Sequence, residues 1–299
     1  MITALLTGVT SFIGRHLAKS LAQSGIRVLA TYRTANHSLF QALETVSPNL
    51  KLIQLNSFNE VELDKLPPLI DAVVHLAGVS TMSGASIDDM LNVNVMGTLN
   101  LQRYAMRAGA CKFIYASSLS IHGKIKSGVV DEHTPVNDPD PYGATKYLGE
   151  RLLASAAGTM PTVGIRLPGV LGCGAHRAWI PTLVERLVSG GEVSVYSPNA
   201  EFNNAVHVSD LSSLIVQVLL NKVWHGFFAF PVGASGKMNI LEVINFFRKG
   251  LNSDSKLCVV KEIKPSFLID STFAVETFGY VPTRIDVILQ RYLENILYH

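Results

Sequence analysis

Ile2-Thr3-Ala4-Leu5-Leu6-Thr7-Gly8-Val9-Thr10-Ser11-Phe12-Ile13-Gly14 decides how the rest of the chain is read. Its apolar start reads as a buried strand from Ile2 to Leu6, which turns through glycine into a helix from about Phe12 to Ser24. Backbone amides in such a turn, together with the helix amino terminus, can hold a pyrophosphate. The pattern is Gly8-x-x-Ser11-x-x-Gly14, with Ser at the middle position where a dinucleotide fingerprint has Gly. A Cβ there narrows the approach to phosphate, and its hydroxyl offers a hydrogen bond in exchange.

Outward from this turn, short apolar runs alternate with helical spacing. Arg27 to Tyr32, Lys51 to Leu55, Ala72 to Gly78, Lys112 to Ala116 and Thr162 to Pro168 read as strands. Met90 to Ala108 carries apolar residues at helical intervals. Such alternation implies an α/β fold of the Rossmann type, a doubly wound parallel sheet. The second strand ends at Tyr32-Arg33 with no carboxylate beside it. An acid at that place would bond an adenosine 2′-hydroxyl, whereas an arginine pairs with a 2′-phosphate, so the strand end favours NADP(H) and leaves NAD(H) open.

The 299 residues are 48% hydrophobic and 16% charged, enough for one large domain or two small ones. A net charge of +2 gives no field for nucleic acid or a membrane surface. Cys111, Cys173 and Cys258 lie far apart, without metal-ligand spacing and in an odd number, so neither a metal site nor a disulfide framework is expected. No apolar run reaches the ~20 residues of a membrane span, and no basic stretch precedes the first strand. A cytoplasmic location is the expectation.

A second stretch carries the chemistry: Asp140-Pro141-Tyr142-Gly143-Ala144-Thr145-Lys146-Tyr147-Leu148-Gly149-Glu150. On a helix, Tyr142 and Lys146 project from one face. A cation beside a phenol draws its pKa down from about 10, which suits proton transfer near neutrality. The fifth strand meanwhile runs into Ser117-Ser118-Leu119-Ser120-Ile121-His122-Gly123, a hydroxyl-rich turn at the rim where such sheets bind ligands.

In order and spacing, the Gly8/Gly14 turn, His75-Leu76-Ala77-Gly78, Asn94-Val95-Met96-Gly97-Thr98, Ser117-Ser118 and Tyr142-x-x-x-Lys146 resemble the extended short-chain dehydrogenase/reductases. Within them, the likeness is to the nucleotide-sugar epimerases, dehydratases and reductases. The resemblance implies a catalytic Ser118, Tyr142 and Lys146. Tyr142 would move the proton at a sugar oxygen, Ser118 would steady that oxygen, and Lys146 would hold the nicotinamide ribose while lowering the Tyr142 pKa. Gly8, Thr10, Ser11, Phe12, Ile13, Gly14, Tyr32, Arg33, Leu76, Ala77, Gly78 and Pro168 would join Tyr142 and Lys146 around the cofactor. Asn94 would stand behind the site as a structural or relay residue.

The resemblance also implies a smaller, discontinuous α/β substrate domain. The cofactor domain would span 1–170 with return segments near 205–233, and the substrate domain 171–204 and 234–299. Ser80, Ser118, His122, His176, Arg177 and Asn203 would face the nucleotide sugar. Asn203 stands where many relatives place a phosphate-binding arginine, which leaves Arg177 or Lys264 for the diphosphate. Gly169 replaces an asparagine of many epimerases and dehydratases. That departure and Arg33 put NADPH-dependent reduction of a 4-keto sugar first, with a 4-epimerase second and a cofactor-sensing protein without chemistry last. Val206-His207-Val208 reads as a strand with a core imidazole, and Asp210 as the cap of a helix from Leu211 to Leu220. Relatives pair through two helices, here Met90 to Ala108 and Tyr142 to Ala157, so a homodimer is expected.

Overall fold

The computed structural model describes residues 1–36, 40, 41, 43, 47–262 and 265–298. In chain order its strands are β1 (Thr3–Thr7), β2 (Arg27–Tyr32), β3 (Leu50–Gln54), β4 (Ala72–His75), β5 (Lys112–Ser118), β6 (Val129–Val130), β7 (Thr162–Leu167), β8 (Gly169–Leu171), β9 (Val193–Val195), β10 (Glu201–Phe202), β11 (Ala205–His207), β12 (Phe227–Pro231), β13 (Met238–Asn239), β14 (Leu257–Val259) and β15 (Leu268–Ile269). Its helices are α1 (Phe12–Gln23), α2 (Glu60–Leu63), α3 (Ile87–Met90), α4 (Gly97–Arg107), α5 (Pro141–Ser155), α6 (Trp179–Val188), α7 (Val208–Asn221), α8 (Ile240–Gly250), α9 (Thr272–Phe278) and α10 (Ile285–Tyr298).

Seven strands form one sheet in the order β12-β7-β5-β4-β1-β2-β3. The pairings of β1 with β2 and β4, of β2 with β3 and of β4 with β5 are parallel. Strand order reverses between β1 and β4, and the carboxyl ends of strands flanking such a switch point form the ligand crevice of an open α/β sheet. Leu5, Leu29, Val73 and Phe113 are fully or almost fully buried and pack with Leu101, Tyr104 and Leu153. Apolar side chains on successive positions of these strands suit a sheet covered on both faces.

The chain divides into two compact units: 1–123 with 135–166 and 211–230, and 124–134 with 167–210 and 231–299. The second has its own core, in which Leu183, Leu187, Val195, Val243, Phe247, Ile288 and Leu289 are buried together. Two short pairings account for limits that differ from those drawn on the sequence. β11 pairs in parallel with β8, which keeps 205–207 in the second unit, and β15 pairs with β6, which draws 124–134 there too.

Local departures from the sequence expectations have local causes. The helix expected over Met90–Ala108 is α3, a π-helical turn at Leu91–Met96 and then α4. Within it the Thr98 hydroxyl donates to the Asn94 carbonyl at 2.6 Å, occupying an acceptor of the helical ladder. α7 begins at Val208, so Asp210 lies inside its first turn rather than capping it, with its carboxylate 3.6 Å from Arg291 Nη1. His207 is half-buried, with Nδ1 2.7 Å from Ser209 Oγ at the start of α7 and Nε2 shielded from solvent. Lys264, the other diphosphate candidate, lies outside the described residues. Among the described residues, no helix is long and apolar enough to cross a membrane.

Gly14 offers a test of how closely α1 seats on the strand behind it. A Cβ at Gly14 would overlap the carbonyl group of Gly8 and crowd Val9 Cα, all backbone atoms. Alanine in a helix ordinarily gains about 1 kcal/mol over glycine. Here Gly14→Ala is expected to destabilise by about 1–3 kcal/mol instead, because overpacking forces the backbone to move; urea unfolding of the two proteins checks the sign.

Candidate active site

The phosphate turn is built by two glycines and a serine cap. Gly8 has φ +79°, a backbone state that glycine reaches without strain, and a Cβ there would lie 3.0 Å from Ala77 N. Ser11 caps α1: its Oγ accepts from Gly14 N at 3.0 Å and donates to Gly8 O at 2.8 Å. Its N–H also goes to Gly8 O, at 3.0 Å. The hydroxyl expected to reach phosphate is thus spent within the turn. The N–H groups of Phe12 and Ile13 in the first helical turn have no acceptor within the helix, and these are the donors that fit a pyrophosphate. Thr10 and Ser11 are exposed at the turn.

A chain of hydrogen bonds ties this turn to the rest of the site. Ala77 N–H donates to Thr7 Oγ1 at 3.1 Å, and Thr7 Oγ1 lies 2.7 Å from His75 Nδ1. His75 Nε2 lies 3.1 Å from Thr98 Oγ1, whose proton goes to Asn94 O. With the Thr98 proton committed, Nε2 must be the ring donor and Nδ1 the acceptor for Thr7. Burial, with Lys146 adding to it, pushes His75 down to about 3, so the ring is neutral. The Asn94 amide is equally committed. Its Oδ1 accepts from Val79 N at 2.9 Å, and its Nδ2 donates to Val79 O at 2.8 Å and to Thr145 Oγ1 at 3.0 Å. Thr145 in turn donates to the carbonyl of Tyr142 at 2.8 Å.

α5 starts at a well-formed cap: Asp140 accepts from Gly143 N at 2.7 Å and Pro141 fills the first helical position. Ser118 at the end of β5 lies near enough to Tyr142 for its hydroxyl to favour the phenolate, and its Oγ accepts from Ser120 N at 3.1 Å. Lys146 is 3% exposed and its Nζ sits 4.1 Å from the centroid of the Tyr115 ring. A Cβ at Gly78 would lie 3.2 Å from Asn94 Oδ1 and 3.9 Å from Lys146 Nζ, which places the end of the β4 segment against the ammonium.

Electrostatics here run against the sequence expectation. Burial pushes the Tyr142 phenol above its ordinary value and Asp140 adds to the rise, while the nearby Ser118 hydroxyl opposes it. Burial also brings Lys146 down to about 7, with Glu150 resisting. A lysine that has lost much of its charge cannot hold the phenol down. In the free protein the proton rests on Tyr142.

Ser118, Tyr142 and Lys146 therefore share the first unit with Gly8, Thr10, Ser11, Phe12, Ile13, Gly14, Tyr32, Arg33, Leu76, Ala77, Gly78 and Ser80, whereas Pro168, His176, Arg177 and Asn203 belong to the second. The Tyr32 and Phe40 rings meet at a tilt of 52° with centroids 4.4 Å apart, and Arg33 is exposed and acts on Asp89. His122 is fully buried with Nδ1 3.3 Å from Pro135 O, which removes it from any surface a substrate could reach. Asn203 is also withdrawn. Both its N–H groups go to carbonyls, of Ala234 at 3.2 Å and Ile269 at 2.8 Å, and its Oδ1 accepts from Ile269 N at 2.8 Å, so no donor is left for phosphate. His176 and Arg177 are exposed, Arg177 at φ +55°. Two participants escaped the sequence reading, His75 and Glu150; the second was within reach, because it repeats the four-residue spacing of Tyr142 and Lys146.

The profile described as the NAD dependent epimerase/dehydratase family matches residues 4–226. A UDP-glucose 4-epimerase of Neisseria meningitidis serogroup C is 25% identical over 326 residues, covering 94% of this chain and 92% of its own. UDP-glucose 4-epimerase 4 of Oryza sativa subsp. japonica is 25% identical, covering 83% and 76%. Among solved structures, the UDP-glucuronic acid 4-epimerase of Bacillus cereus with NAD has a TM-score of 0.84 at 23% identity, over all of both chains. A dTDP-glucose 4,6-dehydratase of Bacillus anthracis with NAD has a TM-score of 0.80 at 20% identity, covering 99% and 97%.

Lys146 has a measurable consequence for stability. Unfolded, it titrates near 10.5; folded, at about 7. Between those values the unfolded chain binds the extra proton, so this group makes the free protein more stable as pH rises from 7 toward 10. Lys146→Met removes that contribution. The stability difference, wild type minus variant, is expected to grow with pH across this window in urea melts; parallel pH dependences would contradict the buried-ammonium assignment.

Proposed function

Because the chain belongs to the NAD dependent epimerase/dehydratase family, we propose that it inverts carbon 4 of a nucleotide-linked sugar, as a nucleotide-sugar 4-epimerase. The observation that carries the reading is Ser118 at the end of β5 acting on Tyr142, with Lys146 buried one turn along α5, all in the same unit as the glycine turn. The 4-epimerases among its relatives favour epimerisation over the reduction that Arg33 and Gly169 had put first. A nicotinamide cofactor supplies acceptance and return of a hydride at the sugar carbon. The protein supplies the proton balance. Tyr142 Oη exchanges a proton with the sugar oxygen, and Ser118 Oγ hydrogen-bonds that oxygen as its charge changes. Gly8, Gly14 and the Phe12 and Ile13 amides hold the pyrophosphate, and Lys146 binds the ribose.

For the sugar nucleotide we propose Arg177 as the diphosphate ligand, since a guanidinium pairs with phosphate oxygens in two places at once. It is exposed, with its backbone at φ +55°. His176 beside it is the second candidate, and Ser80 the candidate in the first unit. A homodimer is proposed too, on the exposed apolar side chains Leu91, Met96, Met106 and Leu148 of the two helices expected to pair; sedimentation measures it.

NADPH-dependent reduction of a 4-keto sugar remains the second reading, on one observation: Arg33 is exposed at the end of β2 with no acidic residue on that strand end. Incubation with UDP-glucose, UDP-galactose or UDP-glucuronic acid and NAD separates the two. Epimerisation gives a mixture of C4 epimers by proton NMR with no net change in reduced cofactor; stoichiometric NADPH consumption on a 4-keto sugar, without epimers, overturns it. Tyr142→Phe is expected to lower turnover by about 10²-fold or more while leaving the fold intact, because the proton then has no carrier. Titrating NAD(H) against NADP(H) decides the role of Arg33: tighter NAD(H) is expected for the epimerase.

A further inference from the structure

Tyr142, Lys146 and Glu150 recur at four-residue intervals and lie along one stripe of α5. The first two belong to the chemistry proposed above. Glu150 has no part in it, yet it is 1% exposed and receives three hydrogen bonds. Ser117 Oγ donates to Oε1 at 2.5 Å, Arg166 Nε to Oε1 at 3.2 Å and Arg166 Nη2 to Oε2 at 3.1 Å. Ser117 lies on β5, one residue before Ser118, and Arg166 on β7. One carboxylate thus ties a turn of the catalytic helix to two strands of the sheet.

Stability alone does not explain such a pair, because the cost of desolvating two ions offsets most of their attraction. Charge balance points elsewhere. With Lys146 protonated, the buried set of Lys146, Glu150 and Arg166 holds two cations and one anion; with Lys146 neutral it holds no net charge. Without Arg166, Glu150 would be the counter-ion of Lys146, one turn further from Tyr142.

We propose that Arg166 and Ser117 sequester the Glu150 carboxylate so that the Lys146 amine stays with Tyr142, which makes the Glu150–Arg166 pair a positioning device for the catalytic helix. The proposal rests on the reading of Lys146 as the partner of Tyr142. The other groups facing Lys146 carry no competing charge. Tyr142 on its own helix is a protonated phenol, Tyr115 on β5 offers a ring face, and burial pushes the Tyr115 phenol well up. His75 on β4 is neutral, and Asn94 and Gly78 present uncharged groups. Glu150 is the anion acting on Lys146, and Arg166 is what holds it away.

The test reads Lys146 in the cofactor-free protein, by titrating its ε-¹³C NMR resonance, assigned through its loss in Lys146→Arg. Arg166→Gln frees the carboxylate and is expected to raise the Lys146 midpoint by about one pH unit or more, and Glu150→Gln to lower it. Arg166→Lys keeps the charge and is expected to hold the midpoint near the wild-type value. Unchanged midpoints in both glutamine variants, or shifts in the same direction, as loss of packing alone would give, overturn the proposal. If either glutamine variant fails to fold, Ser117→Ala decides: a raised midpoint supports the sequestration, and an unchanged or lowered one overturns it. No substrate is involved, so failure here leaves the epimerase reading standing, and an inactive wild type with the expected midpoints would sink that reading alone.

Discussion

Burial of the Lys146 amine is the constraint around which the site is arranged. An ammonium taken out of water must find compensation, shed its proton or both. This chain supplies the Tyr115 ring 4.1 Å away, while Arg166 holds the carboxylate of Glu150. The outcome is an amine that titrates near neutrality beside a phenol that keeps its proton. Burial on one helix thus moves the two groups in opposite senses, the amine toward neutrality and the phenol away from it.

Rigidity comes from a polar frame with few loose ends. His75, held neutral, joins Thr7 at the phosphate turn to Thr98 below the π-helical turn. Asn94 in that turn reaches Val79 and Thr145, and Thr145 reaches the backbone of Tyr142. The turn, the switch-point strand and α5 therefore share one hydrogen-bonded network. Buried networks of this kind fix a unique arrangement because any slip leaves a polar group unpaired in a low dielectric.

Asn203 and Ser11 show where residue type alone misleads. At Ser11 the hydroxyl looks like a phosphate donor, but it closes its own turn through Gly8 O and Gly14 N. Asn203 looks like a substitute for a phosphate-binding arginine, but three backbone bonds to Ala234 and Ile269 make it a brace between segments distant in sequence. His122 follows the same rule: proximity to Ser118 along the chain says nothing of its burial. A side chain that can donate to a ligand can equally donate to a carbonyl, and only the fold determines which is nearer.

What the sequence determined by itself was periodic or local. Apolar runs of strand length, the Gly8 turn and the four-residue interval of Tyr142 and Lys146 follow from backbone sterics and helical geometry over a dozen residues or fewer, so they are legible without coordinates. Tertiary structure decided the rest: the order of the strands, the break of Met90–Ala108 into a π-helical turn, the partners of Glu150 and the direction of the Tyr142 pKa. Each depends on desolvation or on groups far apart along the chain, Glu150 with Arg166 and Thr7 with His75. Neither burial nor long-range pairing is encoded in the spacing of neighbours.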